Sequence, residues 1–214
     1  GGGETAAAAW RAYCRAAGIV AEFAHLHPWR PAPASEEARF LDPSQVEFNR
    51  EIVWVDVTLS QEQWWSDSFD RSCRKNIRRA IKEKVRVRPA QTAEDVREFH
   101  RIYALTMDRA NALERYRFPV EYFLAFFERM PGHARFVLAE CEGRVAAATL
   151  YLHDDENVYS YLGGADYDYQ RVRPTNAVVY ETLLWARAQG KKRLILGGGY
   201  RENDGIFRFK ASFS

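Results

Sequence analysis

Cysteine is scarce in this 214-residue chain: Cys14, Cys73 and Cys141 stand far apart and in odd number. A disulfide framework is excluded on that count, and reduced thiols in a cytoplasmic setting are the expectation. No apolar run approaches the roughly 20 residues of a helical membrane span, and no basic-then-apolar leader opens the chain. Metal-ligand spacing is also missing. His25 and His27 share one face of a strand, but no third ligand lies near them, and they read as a hydrogen-bonded strand-end pair. The chain has neither a G-x-S-x-G nucleophile elbow nor a phosphate loop of the G-x-x-x-x-G-K-[ST] type.

Acidic residues are nearly absent from one stretch. Between Arg71 and Arg88 nine basic residues (Arg71, Arg74, Lys75, Arg78, Arg79, Lys82, Lys84, Arg86 and Arg88) face Glu83 alone, although the whole chain carries a net charge of only +2. Arg71, Lys75, Arg78 and Lys82 repeat at i, i+4, i+7 and i+11, which puts them on one helical face, with Ile77, Ala80 and Ile81 as the apolar stripe. A cationic face with so few acidic partners fits the phosphates of a polyanion, which supply affinity without base readout.

The period of the hydrophobic pattern changes along the chain. An Ala-rich helix over 4–17 stops at Gly18, and a strand follows over 19–28. A proline-spaced loop over 29–45 leads to a β-branched strand from Ile52 to Leu59, and Ser60 with Gln63 forms a capping box. After the basic helix come a short strand ending at Pro89, a helix from Thr92 and a second helix from Pro119 to Met130. Residues 134–166 read as a three-stranded antiparallel meander with turns at "EG" and "DDEN". A helix over 174–190, a strand ending in Gly197-Gly198-Gly199 and a final strand over 205–214 complete the order β-α-α-β-β-β-α-β-β from residue 85. Both ends read as cut from something longer. This is an α/β chain with one mostly antiparallel mixed sheet and helices on both faces.

The glycine triplet fits neither nucleotide motif, since its glycines close a late strand instead of opening a helix. It marks close backbone approach or dihedrals that side chains forbid. Period two in "FRFKASF" puts Lys210 opposite Phe207 and Phe209. Tyr161, just before Gly163 and Gly164, stands where a bulge would open a sheet.

The ordered set of segments "SCRKNIRRAIKEKVRV", "FHRIYALTMDRANALERYRF", "YSYLGGAD", "NAVVYETLLWARAQGKKRLILGGG" and "FRFKASF" resembles the Fem-type aminoacyl transferases of the GNAT superfamily. The resemblance implies an incomplete first GNAT-like domain over 1–84 and a second over 85–214. It further implies transfer of an amino acid from an aminoacyl-tRNA to an amine of a peptidoglycan precursor or a small peptide-like metabolite, without a cofactor. Lys210, matching the family's F-K lysine, would stabilise the developing oxyanion, with Tyr161 as its catalytic companion. Arg109, in the T-x-x-R pattern, and Tyr122 would orient the acceptor. Gly198 at the strand end and Asn176 in the first turn of the 174–190 helix complete the substrate-binding set. Arg74, Lys75, Arg78, Arg79 and Lys82 would hold the tRNA. Phe118 stands where some relatives carry an arginine for nucleotide-linked precursors, which leaves room for another acceptor. The acyl-CoA branch of the superfamily has [RQ]-x-x-G-x-[GA] before this helix, whereas this chain has Gln170-Arg171-Val172-Arg173-Pro174-Thr175. That lack of glycine argues against CoA. An acyl-CoA-dependent N-acyltransferase and a non-catalytic tRNA- or peptide-binding relative are the alternatives.

Overall fold

Alternation along the central strands sorts side chains to two cores. In β3 (Ala134–Cys141), Val137 and Ala139 face one core while Phe136 and Leu138 face the other. The computed structural model describes residues 2–20, 47–199, 201 and 204–214. The chain divides into two compact units, 1–49 and 50–214. In the first, helix α1 (Gly2–Ala16) closes before Gly18, whose φ is +68°. Apart from Ile19 and Val20, the strand expected over 19–28, with His25 and His27, lies outside the described residues, as does the loop at 29–45.

The second unit is built on one six-stranded sheet, ordered β1 (Val53–Asp56), β6 (Arg193–Gly197), β5 (Asn157–Ala165), β4 (Arg144–His153), β3 and β2 (Arg86–Pro89). All neighbours are antiparallel except β5 and β6. Helices α3 (Arg71–Lys82) and α6 (Pro174–Ala188) cover one face, and α4 (Ala93–Arg109) and α5 (Val120–Arg129) cover the other. Phe99, Ile102, Phe123, Leu138 and Leu150 are fully buried beneath α4 and α5, each contributing about 1.5–3 kcal/mol of transfer free energy. The compact units part at 49/50; within the second, β1 hydrogen-bonds to β6, and Trp64, Cys73 and Ile77 fill the α6-side core.

Local signals held where the cap was readable. Ser60 and Gln63 form the expected capping box at the one-turn helix α2 (Gln61–Gln63), which runs on as a wider turn over Trp64–Ser68. Asp70 caps α3 by accepting the Cys73 N–H at 2.6 Å. Three expectations need correction. The first strand stops at Asp56, since its carboxylate accepts both the N–H and the hydroxyl of Thr58 and turns the chain. Ile81 is 62% exposed; the stripe that α3 buries is Cys73, Ile77 and Ala80, spaced i, i+4, i+7. The last segment is helix α7 (Gly205–Ala211) and not a strand. Asp204 caps it through the Phe207 N–H at 2.8 Å, and Phe209 meets Phe213 one turn on.

Asp95 ties the α4 start to the sheet edge. It accepts from Arg88 at 2.7 Å and from the N–H groups of Gln91 and Thr92, while Arg88 also reaches Glu140 at 2.6 Å. The Arg88 hydrogen bond, reinforced by those N–H groups, holds the Asp95 carboxyl well below the usual carboxylate range. Asp95→Asn is therefore expected to cost about 1–3 kcal/mol at pH 7. A carboxyl whose folded pKa is depressed stabilises above its unfolded value of about 3.9 and loses that contribution as pH falls. The deficit should shrink progressively in urea titrations as pH falls from about 5 toward about 2; an equal deficit at about pH 7 and about pH 2 would refute the assignment.

Candidate active site

Strands β5 and β6 run side by side only over Asn157–Tyr159 and Arg193–Ile195. Beyond that, β5 stays paired with β4, while β6 ends opposite β1 at Val53. The two parallel strands thus part toward their C-terminal ends, and the wedge between them exposes backbone polar groups at the middle of the sheet. Next to it is the bulge expected at Tyr161. Leu150 pairs with Leu162 and Tyr151 with Ser160, so Tyr161 is the extra residue. It lies inside β5 and not at its end.

The bulge turns Tyr161 toward α5, where its hydroxyl meets that of Tyr122 at 2.6 Å. Burial, followed by the Tyr161 hydrogen bond, pushes the Tyr122 phenol up to about 12, so it stays protonated at neutral pH and acts as a hydrogen-bonding group, not as a base. The glycines that follow let helix α4 approach closely. A β-carbon on Gly164 would collide with the Thr106 hydroxyl and lie 2.6 Å from the Ile102 carbonyl. Thr106 instead receives the Ala165 N–H at 3.0 Å, which pins α4 to this half of β5.

Across the wedge, α7 carries Lys210 back to the end of β6, where its ammonium donates to the Gly198 carbonyl at 2.7 Å. Burial moves the Lys210 pKa below the ordinary lysine value, and Asp204 partly opposes the shift. The glycine triplet is explained by the same crowding: a β-carbon on Gly198 would lie 2.7 Å from the Glu51 carbonyl, and Gly197 has φ +75°. Lys210 thus reaches Gly198, and a helix, not the expected strand, delivers it. Among the described residues Tyr161 and Lys210 share no hydrogen bond; Tyr161 is on β5, and Lys210 reaches the end of β6 from α7.

The start of α6 faces the same end of the sheet. Arg173 occupies the N-cap in the left-handed region (φ +60°), makes no side-chain cap, and is followed by Pro174 in the first turn. The first backbone bond of the helix is from Ala177 N–H to the Arg173 carbonyl at 3.3 Å. Among the described residues the N–H groups of Thr175 and Asn176 have no partner. Asn176 is 4% exposed, yet its Nδ2 has no hydrogen-bond partner among the described residues. A buried donor left open costs about 1–3 kcal/mol, a signal the sequence could not carry.

Helix α3 packs against α6 and the 3-10 turn Tyr167–Val172 that precedes it. Its basic residues have separate duties. Arg74 donates to the carbonyls of Trp65 and Phe69 at 2.9 and 2.6 Å and braces the preceding turn. Arg79 pairs with Glu83 at 2.9 Å, and the Arg78 guanidinium lies 5.0 Å from the Trp65 ring centre. Lys75 and Lys82 are exposed, with no ion pair among the described residues. Arg109 is not with Tyr122: it lies over Tyr167, 5.4 Å from the ring centre, beyond the end of β5. Phe126 and Thr106 were not singled out in the sequence, because their roles arise from packing against β5.

A bulged strand, a parallel neighbour that parts from it and a helix start facing the gap define an α/β fold of group-transfer proteins. The chain belongs to the acetyltransferase (GNAT) domain family, whose sequence model matches residues 68–210. Among solved structures it is similar to FemX, with 14% identity, a TM-score of 0.68, and coverage of 76% of this chain and 57% of that one. It is also similar to the C-terminal domain of a putative lysylphosphatidylglycerol synthetase from Agrobacterium fabrum (14% identity, TM-score 0.59, 76% and 55% covered). A third likeness is to an aminoglycoside acetyltransferase from an uncultured soil metagenomic sample (12%, 0.51, 63% and 90%). The chain spans a little over half the length of the first two. At these identities the likeness is one of fold, and it agrees with the Fem-type resemblance of the motifs. No curated protein matches by sequence. None of the described helices is long and apolar enough to cross a membrane.

Proposed function

We propose that the protein transfers an aminoacyl group from an aminoacyl-tRNA to a primary amine on a peptide-like or cell-wall precursor acceptor, in the cytoplasm. The observation that carries this reading is the part-buried Lys210 ammonium, held at the parted end of β6 by the Gly198 carbonyl. The acceptor nitrogen attacks the ester carbonyl; an amide bond forms, the ester C–O bond breaks, and the nitrogen's proton ends on the ribose oxygen. Negative charge develops on the carbonyl oxygen, where a preorganised ammonium has its largest effect. Bringing amine and ester together supplies about 7–11 kcal/mol through orientation alone, so the reaction needs no cofactor beyond the charged tRNA. Support for the donor comes from Arg71, Lys75, Arg78 and Lys82 on α3, beside the turn that leads into α6.

The open N–H groups at the start of α6 favour a second reading, in which an acyl-CoA pyrophosphate is the ligand there. Against it stand Arg173 and Pro174, where a glycine-rich loop would bring the backbone close. Incubation with mixed radiolabelled aminoacyl-tRNAs and amine acceptors separates the two. The expected result is label in the acceptor that ribonuclease pretreatment abolishes. Transfer from radiolabelled acetyl-CoA, with none from any tRNA, would establish the second reading instead.

A further inference from the structure

The side of the β5 bulge that faces α5 is a ladder of partly exposed aromatic rings. Phe118 stacks on Tyr122 with ring centres 4.4 Å apart and planes 15° apart. Tyr122 meets Phe126 edge-on at 5.2 Å, and Phe126 lies 5.8 Å from Tyr161. The ladder is continuous with the core through Phe123, which both Phe118 and Tyr122 contact edge-on. Its outer end is Tyr161, 42% exposed at the one residue of β5 that has no strand partner opposite.

The rings themselves carry no charge. Arg117, beside Phe118, is committed to Asp108, Glu114 and the Ala112 carbonyl. His100 contacts the Phe118 carbonyl through Nε2. Arg109 is over Tyr167 instead. These three cationic or basic side chains are thus engaged away from the rings. What the rings offer is apolar area with a polar tip, the combination that suits a ring carrying one hydrogen-bonding group. The hydroxyl pair supplies that tip. Whichever phenol donates within the pair, the other keeps its own O–H and free lone pairs for a ligand nitrogen.

We infer that this ladder is the acceptor subsite and that it selects a primary amine next to an aromatic or bulky apolar group, the ring stacking on Phe118, Tyr122 and Phe126 while the Tyr122–Tyr161 hydroxyls hold the amine. The inference rests on the aminoacyl-transfer reading for the chemistry that follows, but the selection itself is a binding property. The bulge at Tyr161 places the amine beside the wedge where β5 and β6 part, within reach of a donor carbonyl lodged there.

The test measures acceptor binding apart from transfer. Calorimetry on the full chain compares phenylalaninamide with alaninamide, and electrophoretic tRNA binding and thermal melting serve as folding controls. The expected preference for phenylalaninamide is about tenfold or more, the factor that roughly 1.4 kcal/mol of ring contact provides. Phe118→Ala should reduce it below about threefold, and Tyr161→Phe should keep the ring preference while weakening both amides alike. Equal affinity of the parent for the two amides would overturn the inference, as would an undiminished preference in a folded Phe118→Ala. If the aromatic preference holds but no tRNA transfers its amino acid, only the donor reading fails. If tRNA-dependent transfer proceeds equally well to aliphatic and aromatic amines, the acceptor inference fails and the donor reading stands.

Discussion

Lys210→Ala is expected to lower the rate of aminoacyl transfer by about 10²–10³-fold, the effect of removing one preorganised donor from a developing oxyanion. The side chain is costly to keep. Burial disfavours its charge, and Asp204 compensates in part. A lysine retained under those conditions and held by one carbonyl, that of Gly198, has two further bonding directions for its remaining N–H groups. Because the charge acts in the transition state, kcat should fall while the apparent KM for tRNA moves little. The pH profile gives a second readout. Because burial lowers the pKa, the charge is lost as pH rises through a value below the ordinary lysine range. An alkaline limb should therefore appear in kcat and vanish from the residual activity of Lys210→Ala. Unimpaired turnover by a variant with unchanged melting temperature would remove Lys210 from the mechanism.

Exchanging Arg71, Lys75, Arg78 and Lys82 together for glutamine should weaken tRNA binding by at least about 100-fold at low salt. The salt dependence should flatten at the same time. Each phosphate contact adds about 0.7–0.9 to the slope of log affinity against log salt, so four lost contacts remove about 3 to 3.5. These positions are one face of α3, and their substitution touches none of the buried stripe of Cys73, Ile77 and Ala80. Arg74→Gln is the internal contrast. Its guanidinium braces the carbonyls of Trp65 and Phe69, so the melting temperature should drop while the salt slope stays. Arg79 is half committed to Glu83 and should fall between the two. Anisotropy of labelled tRNA across 50–200 mM salt reads all three. A quadruple variant with the parent's slope would place the polyanion elsewhere.

Much of this was legible because the signals are local. The capping box at Ser60, the helix start at Thr92 and the meander turns depend on residues a few positions apart, and they came out as the pattern predicts. The α7 segment shows where local reading fails. Alternating Phe207 and Phe209 suggests a strand, but the Asp204 cap and the packing of Phe213 against Phe69 and Phe209 draw the same residues into a helix. Period two over so short a run does not separate the two states. Lys210 reached the site in spite of that error, since its reach to Gly198 spans only 12 positions.

The sequence by itself determined the α/β class, the order of the meander and its flanking helices, the basic face of α3 and the motifs that resemble the Fem-type transferases. All but the resemblance follow from residue spacing and side-chain chemistry. Only the tertiary structure decided which of the named residues meet. It set Tyr122 against Tyr161 across 39 positions, sent Arg109 to Tyr167, buried the Asn176 Nδ2 with no partner among the described residues and gave Arg74 the carbonyls of Trp65 and Phe69 to brace. The physical reason is register. One extra residue in β5 reverses which way Tyr161 points, and the parting of two strands makes a site from backbone that would otherwise be paired. Neither leaves a period in the sequence, because both depend on residues that are distant along the chain and adjacent in the sheet.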